Sequence, residues 1–219
     1  MKDLIIYGSG GLAKEVVQII KDINSINNEW NILGYIDDTR PDLNKLIWEY
    51  KILGSSEILK NYAPKTNIVI AIGDPKSKKI IYEKLRPYNF NFPTLIHPTA
   101  KVAYGATLGD GAILGIDSIV SVNVTVGKLV LLNMRSVIGH DATIGAFSSC
   151  LVNSVVAGDA SLEEGVLVGS NSVIMEKIHI GKDAKIGMGT VVYFNVPDKH
   201  VVMSKPSRPM YLGDEVNEE

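Results

Sequence analysis

Cysteine is almost missing from this chain: one thiol in 219 residues rules out an intrachain disulfide framework, and a stabilising core has to come from packing. There is no excess of charge of either sign. Twenty-two Lys and Arg stand against 24 Asp and Glu, for a net charge of −2, which argues against a nucleic-acid or anionic-membrane surface. No apolar run approaches the roughly 18 residues that a membrane span needs. The opening stretch, Met1 to Tyr7, reads as a buried first strand and not as the apolar segment of a cleavable leader, so a cytoplasmic protein is expected. No pair of His, Asp and Glu shows convincing metal-ligand spacing, and no metal is expected.

What the chain has in abundance is a period of six. From Ile96 to Val192 every sixth residue is apolar without a slip, running through Val102, Leu108, Leu114, Val120 and Val126 to Ile174, Ile180 and Ile186. The residue two places earlier is small in most repeats (Ala100, Ala106, Ala112, Ser118, Ser136), and the one just after is often glycine (Gly109, Gly115, Gly127, Gly139). Six fits neither a helix nor an alternating strand. It fits a parallel β-helix in which each hexapeptide is a short strand and a corner, three hexapeptides closing one triangular coil. With coils about 4.8 Å apart, five to six of them make a prism on the order of 25 Å long. Cys150 falls on an inward position and reads as a core thiol, not a nucleophile.

Residues 1–92 follow another pattern and are taken as a separate domain from 93–219. Leu4–Tyr7 is an apolar strand leading into Gly8-Ser9-Gly10-Gly11-Leu12-Ala13, after which Val16, Val17, Ile19 and Ile20 form the stripe of a helix. A second strand ends in Asp37-Asp38; a third ends in Gly73-Asp74 and feeds a basic helix from about Lys76 to Leu85. Alternating strands and helices imply a small parallel sheet of Rossmann type, whose ligands bind beyond the carboxyl ends of the strands. The glycine turn, Asp37-Asp38 and Gly73 meet there. Gly8, Gly10 and Ala13 fit the phosphate-binding fingerprint. About 90 residues leave no room for a second nucleotide-binding half, so one nucleotide is expected, with its base or ribose reaching Asp37 or Asp38. The alternative is that the glycines only let the first helix pack on the strand.

The combination of a glycine turn, a strand ending in GYIDD, another ending in IAIGD, an IHPTA junction and a hexapeptide prism resembles the bacterial hexapeptide-repeat sugar acyltransferases, of the nucleotide-aminosugar N-acetyltransferase and sialic acid O-acetyltransferase type. The resemblance covers about residues 3 to 210. It implies a left-handed β-helix, a homotrimer, and acetyl transfer from acetyl-coenzyme A, a co-substrate, to a nucleotide sugar at the groove between neighbouring prisms. The ends of the coil need covers, the N-terminal domain being expected over one and the segment after Val196-Pro197 over the other.

Four histidines are available as a base. His97 at the domain junction reads as structural, and His179 and His200 as surface residues. His140 sits at a corner beside Asp141; from the residues alone it is either an ordinary corner residue or a base. The resemblance implies the base, with Asp141 orienting the ring and the Gly158 N–H, one coil later, stabilising the thioester oxyanion. It further implies coenzyme contacts at Ser149, Gly158, Ser170 and Met188 and acceptor contacts at Gly10, Gly11, Leu12, Asp37, Asp38 and Gly73. Ser149 stands where some aminosugar members carry a second histidine. Lys205 and Arg208, in a proline-rich tail, are candidates for coenzyme phosphate. N-acetylation of a nucleotide-linked 4-amino-4,6-dideoxy sugar, O-acetylation of a sialic acid type of sugar, and a non-catalytic scaffold stay open as readings.

Overall fold

A computed structural model describes residues 1–40 and 44–205. The first part is an open sheet with helices on it. Strand β1 (Lys2–Tyr7) leads through the glycine turn into helix α1 (Gly11–Asn27), then β2 (Trp30–Ile36), a short hairpin of β3 (Leu46–Ile47) and β4 (Tyr50–Gly54), β5 (Asn67–Ile70) and helix α2 (Pro75–Leu85). The sheet order is β3-β4-β2-β1-β5, parallel except for the hairpin pair. The hairpin was not foreseen, because Leu46–Gly54 shows no clean alternation. β1 is an inner strand between β2 and β5: Leu4, Ile5 and Ile6 are fully buried, packed on α1 from one side and on Ile68, Leu85 and Phe90 from the other.

From Leu95 onward the chain winds into a prism of two-residue strands. Up to the last coil each strand pairs in parallel with the one eighteen residues later: Val120 with Ile138, Val126 with Ile144, Leu132 with Cys150. Three faces result. The docked face runs through Leu95–Ile96, Ile113–Leu114, Leu131–Leu132, Ser149–Cys150, Leu167–Val168 and Lys185–Ile186. The valine face runs through Lys101–Val102, Ile119–Val120, Val137–Ile138, Val155–Val156, Val173–Ile174 and Val191–Val192. The threonine face runs through Thr107–Leu108, Thr125–Val126, Thr143–Ile144, Ser161–Leu162 and His179–Ile180. The sixth-position series fills the interior from Leu114 upward, Cys150 included.

Each corner is a four-residue turn whose third residue is left-handed, with φ between 54° and 63° at Asp117, Asn123, Leu129, Arg135, Asp141, Phe147, Asn153 and Asp159. Its N–H donates to the coil beneath, as from Asp141 to the Val122 carbonyl at 3.0 Å. Where a glycine follows the inward residue it serves a different need: a Cβ on Gly139 would lie 2.6 Å from the Gly158 nitrogen, so it permits coils to stack and does not supply the bend.

One expectation is overturned. The N-terminal domain does not cap the end of the prism; it lies on the docked face, where Leu95, Ile113 and Leu131 join Val16, Ile19 and Ile20 in one apolar cluster. The outward residues of that face in the early coils are leucine and isoleucine, and this apolar stripe is what the domain covers. The first coil's interior therefore stays open, with Ile96 38% and Val102 39% exposed. His97 is structural as expected: nearly buried, it accepts the Thr99 N–H at Nδ1 (3.1 Å) and donates from Nε2 to Asp22 of α1 (2.9 Å). At the far end Val201–Val202 pairs with Lys185–Ile186. Lys205 is exposed, and Arg208 with the tail beyond Lys205 lies outside the described residues. Among the described residues no helix is long and apolar enough to cross a membrane.

Candidate active site

The edge between the valine and threonine faces carries the candidate base. His140 is the second residue of its corner and Asp141 the left-handed third, so the backbone turn itself sets the two side chains next to each other. His140 Nδ1 and Asp141 Oδ2 are 2.9 Å apart, and the other carboxylate oxygen accepts from Asn123 one coil below at 3.1 Å. The carboxylate takes Nδ1 and leaves Nε2 free to accept a proton. It also holds the imidazole pKa above its ordinary value, and the imidazole in turn holds the Asp141 carboxyl below its own.

Gly158 lies directly over this ring. A Cβ there would come 2.5 Å from His140 Nε2 and 2.6 Å from Cε1, so only glycine leaves the imidazole its place. Among the described residues the Gly158 N–H has no hydrogen-bond partner. An uncommitted amide beside a free imidazole nitrogen is the pairing that acyl transfer requires, a base for the nucleophile and a donor for the developing oxyanion.

The glycine turn opens a second site at the carboxyl edge of the sheet. A cavity of about 520 Å³ is lined by Gly8 to Leu12, Asp37 to Arg40, Ile72, Gly73, Ser77 and Ile80. Gly8 has φ 102°, and a Cβ on it would strike Ile72 and Ala71. Around Gly10, Gly11 and Gly73 there is open space instead, and α1 begins at Gly11 without a side-chain cap or an acid in its first turn. Its first N–H groups face that space, which suits an anion.

The two acidic residues are placed differently from expectation. Asp37 accepts from the backbone and hydroxyl of both Ser9 and Thr39; Asp38 accepts from Tyr7, Lys84 and the backbone and hydroxyl of Ser56. A carboxylate has about four acceptor positions, and both are filled. Burial opposes their ionisation, but the hydrogen bonds outweigh it and hold both pKa values below the usual carboxylate range. They build the cavity wall: Asp37 ties the glycine turn to β2, and Asp38 ties β1 and α2 to the segment after β4. Arg40 is the one charged group of this cavity without a partner among the described residues.

Leu12 also borders a smaller cavity of about 250 Å³ between α1 and the edge joining the docked and valine faces. Its walls are Ile19, Trp48, Ile113, Ile116, Leu131, Asn133 and Met134, with Lys14, Glu15 and Gln18 at the rim. Asn133 and Trp48 were not singled out from the sequence; Asn133 has the signal of sitting one corner before His140, whereas nothing near Trp48 announces a wall. Ser170 and the exposed Met188 stack higher on this same edge. Ser149 does not join them. It is fully buried beneath α2, its hydroxyl bonded to Lys78, and it is withdrawn from the coenzyme set.

Residues 3–85 match the PglD N-terminal domain, and residues 153–193 match the bacterial transferase hexapeptide, six repeats. The two matches fall separately on the two parts of the fold, the first on the sheet domain and the second on the prism. The PglD-type domain and the prism together superpose on the acetyltransferase domain of PglB from Neisseria gonorrhoeae FA1090, with TM-score 0.85 and 23% identity over 96% of this chain and all of that one. PerB from Caulobacter crescentus, solved with CoA and GDP-perosamine, gives TM-score 0.81 and 24% identity over 95% and 97%. These likenesses bear out the expected fold, an α/β Rossmann-like domain followed by a left-handed parallel β-helix. The UDP-N-acetylbacillosamine N-acetyltransferase of Bacillus subtilis (strain 168) is 26% identical over 115 residues, 52% of this chain. That match spans about half the relative's length.

Proposed function

We propose that this protein is an acetyl-CoA-dependent N-acetyltransferase acting on a nucleotide-linked amino-sugar, by direct attack of the amine on the thioester. The observation that carries the reading is the stacked pair at one edge: a histidine oriented by its neighbouring carboxylate, crossed by a glycine whose amide is free. His140 Nε2 takes the proton from the attacking amine and the Gly158 N–H holds the oxyanion; no covalent enzyme intermediate is needed. The uncapped start of α1 at Gly10 and Gly11 receives the diphosphate, with Asp37 and Asp38 shaping the cavity around the nucleoside. The adjoining cavity walled by Leu12, Trp48, Ile116 and Met134 is apolar and suits a deoxygenated sugar, such as a 4-amino-4,6-dideoxy hexose, presenting its amine toward Asn133. The bacillosamine enzyme and the perosamine N-acetyltransferase of Caulobacter crescentus, both N-acetyltransferases, support this choice over the O-acetyl reading.

The two cavities and His140 do not meet within one chain. The nucleotide domain sits on the docked face, and the His140 edge is the edge opposite that face. The valine face lies between the His140 edge and the edge of Asn133, Ser170 and Met188, and its outward residues are Ile119, Val137, Val155, Val173 and Val191. Ile119 and Val191 are 42% and 43% exposed, and no described residue covers them. Such a stripe calls for a partner. Three copies turned about an axis with valine faces inward would bury it and set the His140 edge of one chain beside the Asn133 edge of the next. A homotrimer with acetyl-CoA in each cleft follows, the base coming from one chain and the acceptor site from its neighbour.

The test is thiol release from acetyl-CoA with UDP-, dTDP- and GDP-linked 4-amino-sugars beside free and CMP-linked sialic acid. Release with one nucleotide amino-sugar, and formation of its amide, is the expected result and names the base. Release with sialic acids alone would replace the reading by O-acetylation. Silence across the panel would favour an acceptor outside it or the scaffold.

A further inference from the structure

Lys78 is the one charged side chain in the described structure that is almost wholly buried, at 2% exposure. It leaves α2 of the nucleotide domain and ends between two strands' worth of prism: Nζ lies 3.0 Å from Ser149 Oγ and 3.3 Å from the Ser148 carbonyl. No carboxylate bonds to it. Asp74, one turn earlier on the same helix, spends its carboxylate on capping Ser77. The titratable group facing it from the prism is the Cys150 thiol, which burial pushes up to about 12 and keeps uncharged. Tyr82, on the next turn of α2, points its ring to Phe147 and Lys128. Lys79 beside it pairs with Glu164 at the surface.

An ion without a counter-ion in a packed interface costs stability, and an apolar side chain of the same length would fill the space at less cost. The gain has to lie in direction, since hydrogen bonds fix a register that apolar packing leaves free. The flank of α2 next to Lys78, at Ser77, Ile80 and Ile81, is a wall of the nucleotide cavity. Resting on the function proposed above, we propose that Lys78 is a positioning residue: its amine fastens the α2 wall of the nucleotide cavity to Ser148 and Ser149 of the prism, and so sets where a bound nucleotide sugar is held relative to the coils.

The fastening depends on pH. Burial lowers the Lys78 pKa to about 7. The uncharged amine has two N–H donors and a lone pair, which the Ser148 carbonyl and the Ser149 hydroxyl match; the ammonium brings a third donor for which the site holds no oxygen. In the unfolded chain the group has its ordinary value near 10.4, so between about pH 7 and 10 the unfolded state binds more protons and stability climbs with pH. Below about pH 7 the full cost of burying the charge is present.

The experiment compares wild type with Lys78→Met, whose side chain has nearly the same length. In steady-state kinetics the variant is expected to raise the acceptor KM about tenfold while leaving the acetyl-CoA KM unchanged, and to flatten a rise in wild-type acceptor KM as pH drops through 7. An unchanged acceptor KM, or equal loss for both substrates, overturns the proposal. Should no nucleotide sugar be turned over, the function reading fails, and amide hydrogen exchange decides the matter without turnover. Wild-type protection at the first turn of α2 and at residues 147–150 is then expected to fall, beyond the intrinsic rate change, as pH is lowered through 7, with no such step in Lys78→Met. Matching profiles in the two proteins overturn it. If Lys78→Met does not fold, Ser149→Ala removes one of the two partners and is expected to shift both readouts in the same direction by less.

Discussion

At the scale of the residue, the chemistry rests on two hydrogen bonds and one missing side chain. Asp141 bonds Nδ1 of His140 and raises its pKa, so the group must lose a proton at higher pH than a free imidazole before it can act as base. Turnover should therefore rise with pH along an acidic limb set by His140. Asp141→Asn removes the charge and keeps the shape; the limb should move to lower pH, while kcat drops about tenfold or more because the ring loses its orienting partner. A limb that stays in place in the pH profile of kcat/KM would mean that another group titrates. Gly158→Ala separates base from oxyanion donor in a different way. Its methyl group occupies the space of the imidazole, so the loss should be on the order of 10³ in kcat with acetyl-CoA binding by calorimetry kept within a few-fold. His140, Asp141 and Gly158 were singled out by the family resemblance, and the eighteen-residue coil accounts only for Gly158 lying over His140. The sequence did not expose that Asp37 and Asp38 are saturated, since the partners Ser9, Thr39, Tyr7, Ser56 and Lys84 are brought together by three strands and a helix.

At the scale of the element, local preference and tertiary packing can be seen contending at the corners. The left-handed third position costs an ordinary side chain about 1–2 kcal/mol, which is why Asp, Asn and Gly fill many of these places. On the edge between the threonine and docked faces the same position holds Leu129 and Phe147, both at φ above 50° and both buried. They point onto α2, where Phe147 meets Tyr82 with ring centroids 5.5 Å apart and Leu129 joins Leu85 and Phe90 in one cluster. Burying a side chain of this size is worth about 1.5–3 kcal/mol, enough to offset the strained backbone. Periodicity alone makes the repeat legible and hides this exception, because the reason for Phe147 lies some seventy residues away in α2. The hairpin of β3 and β4 was hidden for a related reason. Its residues earn their place from the edge of an existing sheet, with Ile52 beside Tyr35, and carry no alternation of their own.

For the whole molecule, the question is where one active site begins and ends. The docked face is covered by the chain's own N-terminal domain, the threonine face is polar and meets water, and the valine face beyond Lys101 is apolar and has no cover among the described residues. Sequence reading found the prism but not its sidedness, because the outward residue of each hexapeptide shows a face only when every third repeat is read together: Ile119, Val137, Val155, Val173, Val191 against Thr107, Thr125, Thr143. If valine faces pack about a threefold axis, a chain without its base and a chain without its acceptor site should repair each other. Gly11→Phe fills the open space at the start of α1 without touching the prism, and His140→Ala removes the base without touching the nucleotide cavity. Each variant alone should be inactive. Co-expressed in equal amounts they should form mixed trimers, in which about one cleft in four pairs an intact His140 edge with an intact glycine turn from the neighbouring chain. Recovery of about a quarter of the wild-type rate per cleft, lost again when Val155 and Val173 are both changed to Asp and the assembly sediments as a monomer, would establish a site shared between chains. No recovery from correctly assembled mixed trimers would return base and acceptor to the same polypeptide, and would require the nucleotide domain to leave the docked face in order to reach His140.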